Sequence, residues 1–219
     1  MTLQLTPPSI DSLDTCAGHL RAGRLAILPT DTVYGIVADA TNPDAVRSLY
    51  VAKGKDYASP LQLLFADDPG MVARFARLGS AARTLMEALG PGGWTIITAA
   101  APGWDSPALA GGKTVGVRIP HAKIVHDLVS RLGQPLAASS ANRHGGASPI
   151  SCSEAIEQLG EACAIALDGG VTLRGLDSTV VDCTVEEDVK ILREGAIDRR
   201  TIARILKLSD IPVLRSVRL

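Results

Sequence analysis

The sequence predicts an α/β fold, a sheet covered by helices, and three observations support that prediction. Short apolar runs of strand length alternate with amphipathic helical segments along most of the 219 residues. Glycine and proline separate these segments, as turns between helices and strands require. Apolar residues form 46% of the chain, with only two Phe, two Trp and three Tyr. Ala, Val, Ile and Leu must therefore build the core, which suits one or at most two domains.

The predicted elements follow one another along the chain. A helix with apolar residues from Ile10 to Leu20 stops at Gly23 and leads into a strand at 25–28. The dipeptide Asn42-Pro43 supplies an N-cap and a first-turn proline for a second helix, which Lys53-Gly54 closes. The remaining helices are predicted at 68–78, 80–89, 122–132 and 153–159, and the remaining strands at 60–66, 94–99, 114–119, 135–138, 163–167, 179–183 and 189–192.

The organisation of the chain predicts a single domain over residues 1–219, because neither a repeat nor a low-complexity linker divides it. The motifs lie in a core at about 23–195, and a basic C-terminal segment follows at 196–219. Counted from Arg193, the last stretch holds seven Lys or Arg and three Asp or Glu, a net charge of +4. Such a charge is typical either of a solvated helix face with a tail or of a surface that faces RNA.

Composition argues against several classes of protein. The formal net charge of −1 gives no overall attraction to nucleic acids or membranes, so any anion site must be local. No apolar run approaches the roughly 18–20 residues of a membrane span, and the N-terminus lacks the layout of a signal peptide. The four cysteines have no CxxC spacing, which predicts a reduced, cytoplasmic protein with buried thiols.

Common catalytic motifs are also missing. The sequence has no GxGxxG and no GxSxG, and its four histidines lack the paired spacing of a zinc site. Gly112-Lys113-Thr114 resembles the end of a phosphate-binding loop, but Pro107 stands where that loop needs its first glycine. A histidine- or zinc-dependent hydrolase is therefore disfavoured.

Polar side chains gather where predicted strands end, in five clusters that we expect at one edge of the sheet. Their hydroxyls, amides, cations and glycine turns suit an anion with many oxygens, such as a triphosphate or a carboxylate. Taken singly, each cluster also fits strand or turn residues, helix-end cations or a surface loop. Arg118 is harder to explain in that way, because a cation flanked by Val117 and Ile119 needs an anionic partner if it is buried. The clusters lie at 29–35, 53–55, 118–120, 139–142 with the loop to 149, and 177–179 with 193–195.

In this order the clusters resemble the YrdC/TsaC family, the threonylcarbamoyl-AMP synthases. PTDTVYG at 29–35 is similar to the family's PT(D/E)TVYGL, KGK at 53–55 to its KGR, and TVGVRIP at 114–120 to its valine-flanked RxP strand. SSAN at 139–142 with SP at 148–149, GLDSTVVD at 175–182 and ILREGAI at 191–197 are similar to its S-A-N loop, G-x-x-STVVD and LRPGAI. Six motifs in one order make the resemblance very specific.

The resemblance implies a twisted mixed sheet flanked by helices, with a deep, positively charged cleft. It implies an enzyme that forms threonylcarbamoyl-adenylate and pyrophosphate from L-threonine, bicarbonate and ATP, for threonylcarbamoyladenosine modification of tRNA. Mg²⁺ accompanying ATP is implied too, without a tightly bound cofactor, and no carboxylate cluster in the sequence identifies a metal cage. The implied partners are separate proteins that transfer the threonylcarbamoyl group to tRNA. Direct contact with RNA stays open, and no membrane partner is expected.

The resemblance also assigns roles to individual residues. The family's functional Lys-Arg-Ser-Asn tetrad falls on Lys53, Lys55, Ser140 and Asn142, which become the expected catalytic residues. Threonine binding falls on Thr32, Arg118 and Ser178, with Arg118 as the clamp for the carboxylate. Nucleotide binding falls on Lys55, Thr114, Ser140, Ser148 and Arg193, and no residue is assigned to a metal.

Three positions depart from the family pattern. Lys55 stands where the family usually has Arg, Ser59 where many members have Asn, and Leu64 where many have His. Lysine cannot reproduce the two-pronged contact of Arg with phosphate. The alternative function is therefore a nucleotide- or RNA-binding member of the same fold with an altered substrate or little activity. Pyrophosphate release that depends on both threonine and bicarbonate separates the two.

Overall fold

The computed structural model of the chain describes residues 2–54 and 59–209. In that part of the chain, eleven strands form one mixed sheet. The strands are β1 Gln4–Thr6, β2 Leu25–Leu28, β3 Gly35–Asp39, β4 Gln62–Leu64, β5 Ala76–Arg77, β6 Trp94–Ala100, β7 Thr114–Arg118, β8 Leu136–Ser140, β9 Cys163–Leu167, β10 Thr179–Asp182 and β11 Lys190–Arg193.

The sheet has the strand order β1-β9-β2-β3-β8-β4-β7-β6-β10-β11, and β5 pairs with the end of β6. Strand β9 is parallel to β1 and β2, β4 is parallel to β7, and β6 is parallel to β10. The other pairs are antiparallel. Mixed directions place the beginning of one strand beside the end of another, as where Gly35 of β3 faces Ser140 of β8.

Helices flank this sheet. They are α1 Ile10–Arg21, α2 Pro43–Lys53, α3 Pro69–Phe75, α4 Ser80–Leu89, α5 Lys123–Leu132, α6 Cys152–Leu159 and α7 Arg199–Leu208, with short 3₁₀ turns at Pro107–Leu109 and Gly160–Ala162. Helix α1 packs against α5, α2 against β3, and α4 against α7. Within the described residues, none of the helices combines the length and the apolar character needed to cross a bilayer.

Helix α2 begins and ends as its sequence predicts. The Asn42 side chain accepts hydrogen bonds from the backbone N–H groups of Asp44 and Ala45, both at 3.1 Å. Gly54 ends the helix in the left-handed region at φ 59°, which glycine adopts without the steric penalty of a Cβ. These two caps hold Lys53 in the last turn of the helix, beside the candidate site.

The core is built from aliphatic side chains, as the composition predicts, with Trp94, Tyr34, Tyr50 and Phe65 as its largest fully buried members. All four cysteines are free and buried, which confirms the prediction of buried thiols. Burial raises the pKa of Cys16, Cys163 and Cys183 to about 12, because the interior disfavours the charged thiolate.

The predicted elements agree with the structure except at β1, β3, β5, the end of α3 and helix α7. Strands β1 and β5 are too short to leave a pattern, and the apolar run of β3 follows directly on the polar cluster at 29–35. Helix α3 ends at Phe75 rather than 78, because the chain turns into β5. Part of the basic C-terminal segment forms α7, which buries Ile202 and Leu206, and residues 210–219 lie outside the described part.

Candidate active site

A cavity of about 250 Å³ opens on one face of the sheet. Its floor crosses β8, β4, β7, β6 and β10, and alternate residues of each strand point to the same face. Thr114 begins β7 and Arg118 ends it, yet both line the cavity. The polar clusters therefore meet on a face of the sheet, and the expectation of one common edge is wrong, because the strands run in mixed directions. The lining is Val33, Pro60, Leu61, Gln62, Thr95, Ile97, Thr114, Gly116, Arg118, Ala138, Ser139, Ser140, Asp177, Ser178, Val180 and Arg193.

Arg118 has the anionic partner that its position requires. Its Nη2 donates to Oδ1 of Asp31 at 2.7 Å and to the Thr32 hydroxyl at 2.8 Å. Both side chains of the ion pair are 3% exposed. Burial lowers the pKa of Arg118, and the Asp31 carboxylate opposes that change because it stabilises the charged guanidinium. The pair brings a cation to the cavity without leaving an uncompensated charge in the core.

The segment 29–35 is locked by its own side chains. The Thr30 hydroxyl donates to the Val33 carbonyl at 2.7 Å and accepts from the Thr32 backbone N–H at 3.1 Å. The Tyr34 hydroxyl donates to the Gly170 carbonyl at 2.6 Å, which ties the segment to the loop after β9. Thr32 and Asp31 are thereby fixed against Arg118, and Tyr34 acts as a structural residue.

Lys53, Ser140 and Asn142 form a hydrogen-bonded cluster. The Lys53 ammonium donates to the Ser140 carbonyl at 2.7 Å, to Oδ1 of Asn142 at 3.1 Å and to the Asn142 carbonyl. The Ser140 hydroxyl donates to the same Asn142 Oδ1, and Ser140 lines the cavity. Lys53 is only 4% exposed, and its hydrogen bonds hold the loop at the end of β8 in place.

A second cluster at the cavity joins Arg193, Asp177 and Ser178 of the lining to Ser148. Arg193 donates from Nε and Nη2 to the Ser178 carbonyl at 3.1 and 2.9 Å. Its Nη1 lies 3.6 Å from Oδ2 of Asp177, and Oδ1 of Asp177 accepts from the Ser148 hydroxyl at 3.0 Å. Asp177 thus joins two residues from separate motifs.

Three residues that line the cavity were not among the predicted site residues. Gln62 and Thr95 line the cavity from β4 and β6, and Asp177 lines it from the loop before β10. Asp177 belongs to the polar cluster predicted at 177–179, but the sequence assigned it no role. Gln62 and Thr95 carried no signal, because each lies in a mostly apolar strand and outside the motifs.

The residues that the sequence singled out fall into three groups. Thr114, Arg118, Ser140, Ser178 and Arg193 line the cavity directly. Thr32, Lys53, Asn142 and Ser148 stand one hydrogen bond behind a lining residue. Lys55 lies outside the described residues.

The other two divergent positions do not enter the cavity lining. Leu64 is a fully buried core residue between β7 and β8, and the Ser59 carbonyl accepts a hydrogen bond from the Tyr50 hydroxyl. In the described ranges no group of three or more His, Cys, Asp or Glu side chains is arranged to hold a metal ion.

Known proteins share both the sequence pattern and the fold. Residues 19–195 match the Sua5/yciO/yrdC family model, which bears the description telomere recombination. A threonylcarbamoyl-AMP synthase of Bacillus subtilis (strain 168) is 35% identical over 191 residues, 87% of this chain and 55% of that protein. One of Mus musculus is 32% identical over 193 residues, 84% of this chain and 67% of that protein.

The solved structures include a close match to the whole described fold. The crystal structure of Pyrococcus abyssi Sua5 complexed with L-threonine aligns with a TM-score of 0.88 at 28% identity, over 98% of this chain and 62% of that one. The chain therefore spans a little more than half the length of the Bacillus relative and under two thirds of the Pyrococcus chain.

Proposed function

Because the chain belongs to the Sua5/YciO/YrdC family, we propose that it is a threonylcarbamoyl-AMP synthase, a nucleotidyltransferase acting on L-threonine, bicarbonate and ATP. The Bacillus and mouse relatives carry the name of that enzyme, and the Pyrococcus Sua5 structure is a complex with L-threonine. One observation carries the proposal: a single cavity collects Arg118, Ser140, Ser178 and Arg193 from four separate motifs. The alternative of a binding protein with little activity has no comparable support.

The proposed reaction has two steps that balance. The threonine amine forms a bond to the bicarbonate carbon, a proton leaves the nitrogen, and hydroxide leaves the carbon, so that water and a carbamate result. A carbamate oxygen then attacks the α-phosphorus of ATP, and the bond to the β-phosphate oxygen breaks. The products are threonylcarbamoyl-adenylate and pyrophosphate.

The chemistry of the cavity suits this reaction. The carbamate is already an anion, so its attack on phosphorus asks the protein for alignment and charge neutralisation rather than for a strong base. Arg118 and Arg193 supply guanidinium groups to the cavity, and Ser140 and Ser178 supply hydroxyls. Histidine is not among the lining residues, which agrees with a reaction driven by positioning.

We assign the residues the roles that the family resemblance implies, and for the described residues their place in or beside the cavity supports these roles. Arg118, Thr32 and Ser178 hold threonine, with the guanidinium facing its carboxylate and Asp31 keeping that guanidinium oriented. Thr114, Ser140, Ser148, Arg193 and Lys55 hold the nucleotide, and Asp177 orients Ser148 and Arg193. Lys53 and Asn142 act as positioning residues for Ser140.

Mg²⁺ and the later steps are part of the same proposal. Magnesium enters with ATP, whose phosphate oxygens are the ligands that this hard cation prefers. Separate proteins then transfer the threonylcarbamoyl group to tRNA in the cytoplasm. The exposed arginines of α7, Arg199, Arg200 and Arg204, are the described candidates for contact with RNA.

The test of the proposed function is pyrophosphate release by the purified chain. We expect release from ATP only when L-threonine and bicarbonate are both present, because neither alone forms the attacking carbamate. Serine should be a poorer amine, since one lost methyl contact discriminates by roughly 1–3 kcal/mol. Equal release without any amino acid would overturn the assignment.

A further inference from the structure

Gln62 is a polar residue at the start of the central strand β4, and its side chain lines the cavity. The strand lies between β8 and β7, and the next two residues, Leu63 and Leu64, are buried in the core. A carboxamide on such a strand loses water on folding and needs hydrogen-bond partners to compensate. The partners of Gln62 therefore indicate what the residue does.

The carboxamide is held in one orientation. The Thr95 hydroxyl on β6 donates to Oε1 of Gln62 at 2.7 Å, so the side chain reaches across β7. It crosses at Gly116, where a Cβ would lie 3.1 Å from Cγ2 of Thr95 and 3.4 Å from Cα and Cβ of Gln62. Glycine at this position leaves room for the contact. Within the described residues the amide nitrogen of Gln62 has no partner, and its two hydrogens are available to a ligand in the cavity.

The neighbouring hydroxyls continue the same direction of hydrogen bonding. Because Thr95 gives its one hydroxyl hydrogen to Gln62, it accepts from the Ser178 hydroxyl at 2.8 Å. Ser178 accepts in turn from Nη2 of Arg193 at 3.3 Å, and a guanidinium can only donate. These hydrogen bonds run from the Arg193 cation to Gln62, and they end in N–H donors. Such an end binds an oxygen that carries negative charge.

The position of Gln62 in the sheet indicates which part of the substrates it contacts. It pairs in register with Gly116, which lies between Thr114 and Arg118 on β7. On the proposed function, on which this step rests, Thr114 belongs to the nucleotide side and Arg118 to the threonine side. The group between them is the one that links amine to α-phosphate, and it derives from bicarbonate.

We propose that Gln62 is the substrate-binding residue for bicarbonate and for the carbamate formed from it. Its Nε2 hydrogens bind a carboxylate-type oxygen of that group, and Thr95 is the positioning residue that holds the carboxamide. The residues that the motifs singled out are assigned above to threonine, to the nucleotide or to positioning Ser140, which leaves the group derived from bicarbonate to Gln62.

The test measures pyrophosphate release while bicarbonate, threonine and ATP are varied one at a time, in buffer freed of carbon dioxide. Gln62→Leu should raise the KM for bicarbonate at least about tenfold, as expected for a lost hydrogen bond to a charged group, and leave the KM for threonine and ATP within about twofold. Gln62→Glu should raise the same KM further, because a carboxylate of equal size repels bicarbonate.

Matched variants separate binding from structural damage. Gln4→Leu, on the exposed edge strand β1, should leave all three KM values unchanged. Thr95→Val should raise the KM for bicarbonate less than Gln62→Leu does, since it frees the carboxamide without removing it. If Gln62→Leu does not fold, Gln62→Glu, which keeps the size and can still accept from Thr95, decides the question.

Two results would overturn the inference. One is an unchanged KM for bicarbonate in Gln62→Leu and Gln62→Glu. The other is a rise confined to threonine or ATP, which would assign Gln62 to that substrate. Failure of the parent protein to release pyrophosphate in response to bicarbonate would instead count against the proposed function, so the two failures are distinguishable.

Discussion

Arg118 and Asp31 meet at 2.7 Å in a part of the protein from which water is nearly excluded. A guanidinium in such a place costs several kcal/mol of desolvation unless a carboxylate and further acceptors compensate for it. Asp31 supplies the charge and Thr32 a further acceptor. Oδ2 of Asp31 is buried without a partner among the described residues, so the carboxylate depends on the same contact. The contributions of Asp31 and Arg118 to stability are therefore coupled.

Asp31→Asn should lower the free energy of unfolding by about 3–5 kcal/mol, because it leaves the Arg118 charge buried without compensation. The double variant Asp31→Asn/Arg118→Met should recover part of that loss, since the uncompensated charge is gone. Urea denaturation of the parent, both single variants and the double variant measures the coupling.

The control for this cycle is Glu161→Gln, which removes the exposed ion pair of Glu161 with Arg143. Its effect should stay below about 1 kcal/mol, as is usual for surface pairs. Strictly additive effects of Asp31→Asn and Arg118→Met would contradict a coupled pair.

For single residues, the sequence predicted that a side chain requires a partner more reliably than it predicted which residue that partner is. It predicts that Arg118 requires an anion, and the structure supplies one. It could not identify Asp31 as that anion, because the two residues are distant in the chain and Asp31 alone fits a turn. The contact between Gln62 and Thr95 could not be predicted either, because it forms only when β4, β7 and β6 lie side by side.

Helix α2 shows how an element places a functional residue. Its N-cap at Asn42 and its C-cap at Gly54 define where the helix starts and stops, and Lys53 in the last turn then reaches the loop after β8. Caps are local features that depend on a few neighbouring residues, which is why the sequence predicts both ends of α2 correctly.

Asn42→Ala should reduce the free energy of unfolding by about 0.5–2 kcal/mol, because the N–H groups of Asp44 and Ala45 lose their acceptor. Asn42→Asp should cost much less, since a carboxylate caps the same groups. Thermal and urea unfolding compare the two variants with the parent. An alanine variant as stable as the parent would show that the cap contributes nothing.

Elements without a local signal were the ones missed. Strand β3 is apolar up to Asp39, but it begins inside the polar motif at 29–35, and its pairing with β2 and β8 defines it. Strands β1 and β5 have three and two residues, too few for an alternating pattern. Tertiary pairing, which a single sequence does not display, creates these strands.

The whole molecule builds its site on a face of the sheet. Five neighbouring strands contribute the floor of one cavity, and the mixed strand directions bring motifs from both halves of the chain onto it. The sequence predicts the α/β class and five of the residues that line the cavity, but not the way they meet. That arrangement follows from strand order and direction, which no local pattern encodes.

On the proposed function, this one cavity joins three substrates into a single adenylate. The most direct measurement supplies ¹³C-bicarbonate, L-threonine and ATP to the purified protein and identifies the product by mass spectrometry before it decays. We expect threonylcarbamoyl-adenylate that carries the ¹³C label, together with an equal amount of pyrophosphate. An adenylate without the label, or conversion of ATP to ADP and phosphate, would contradict the claim.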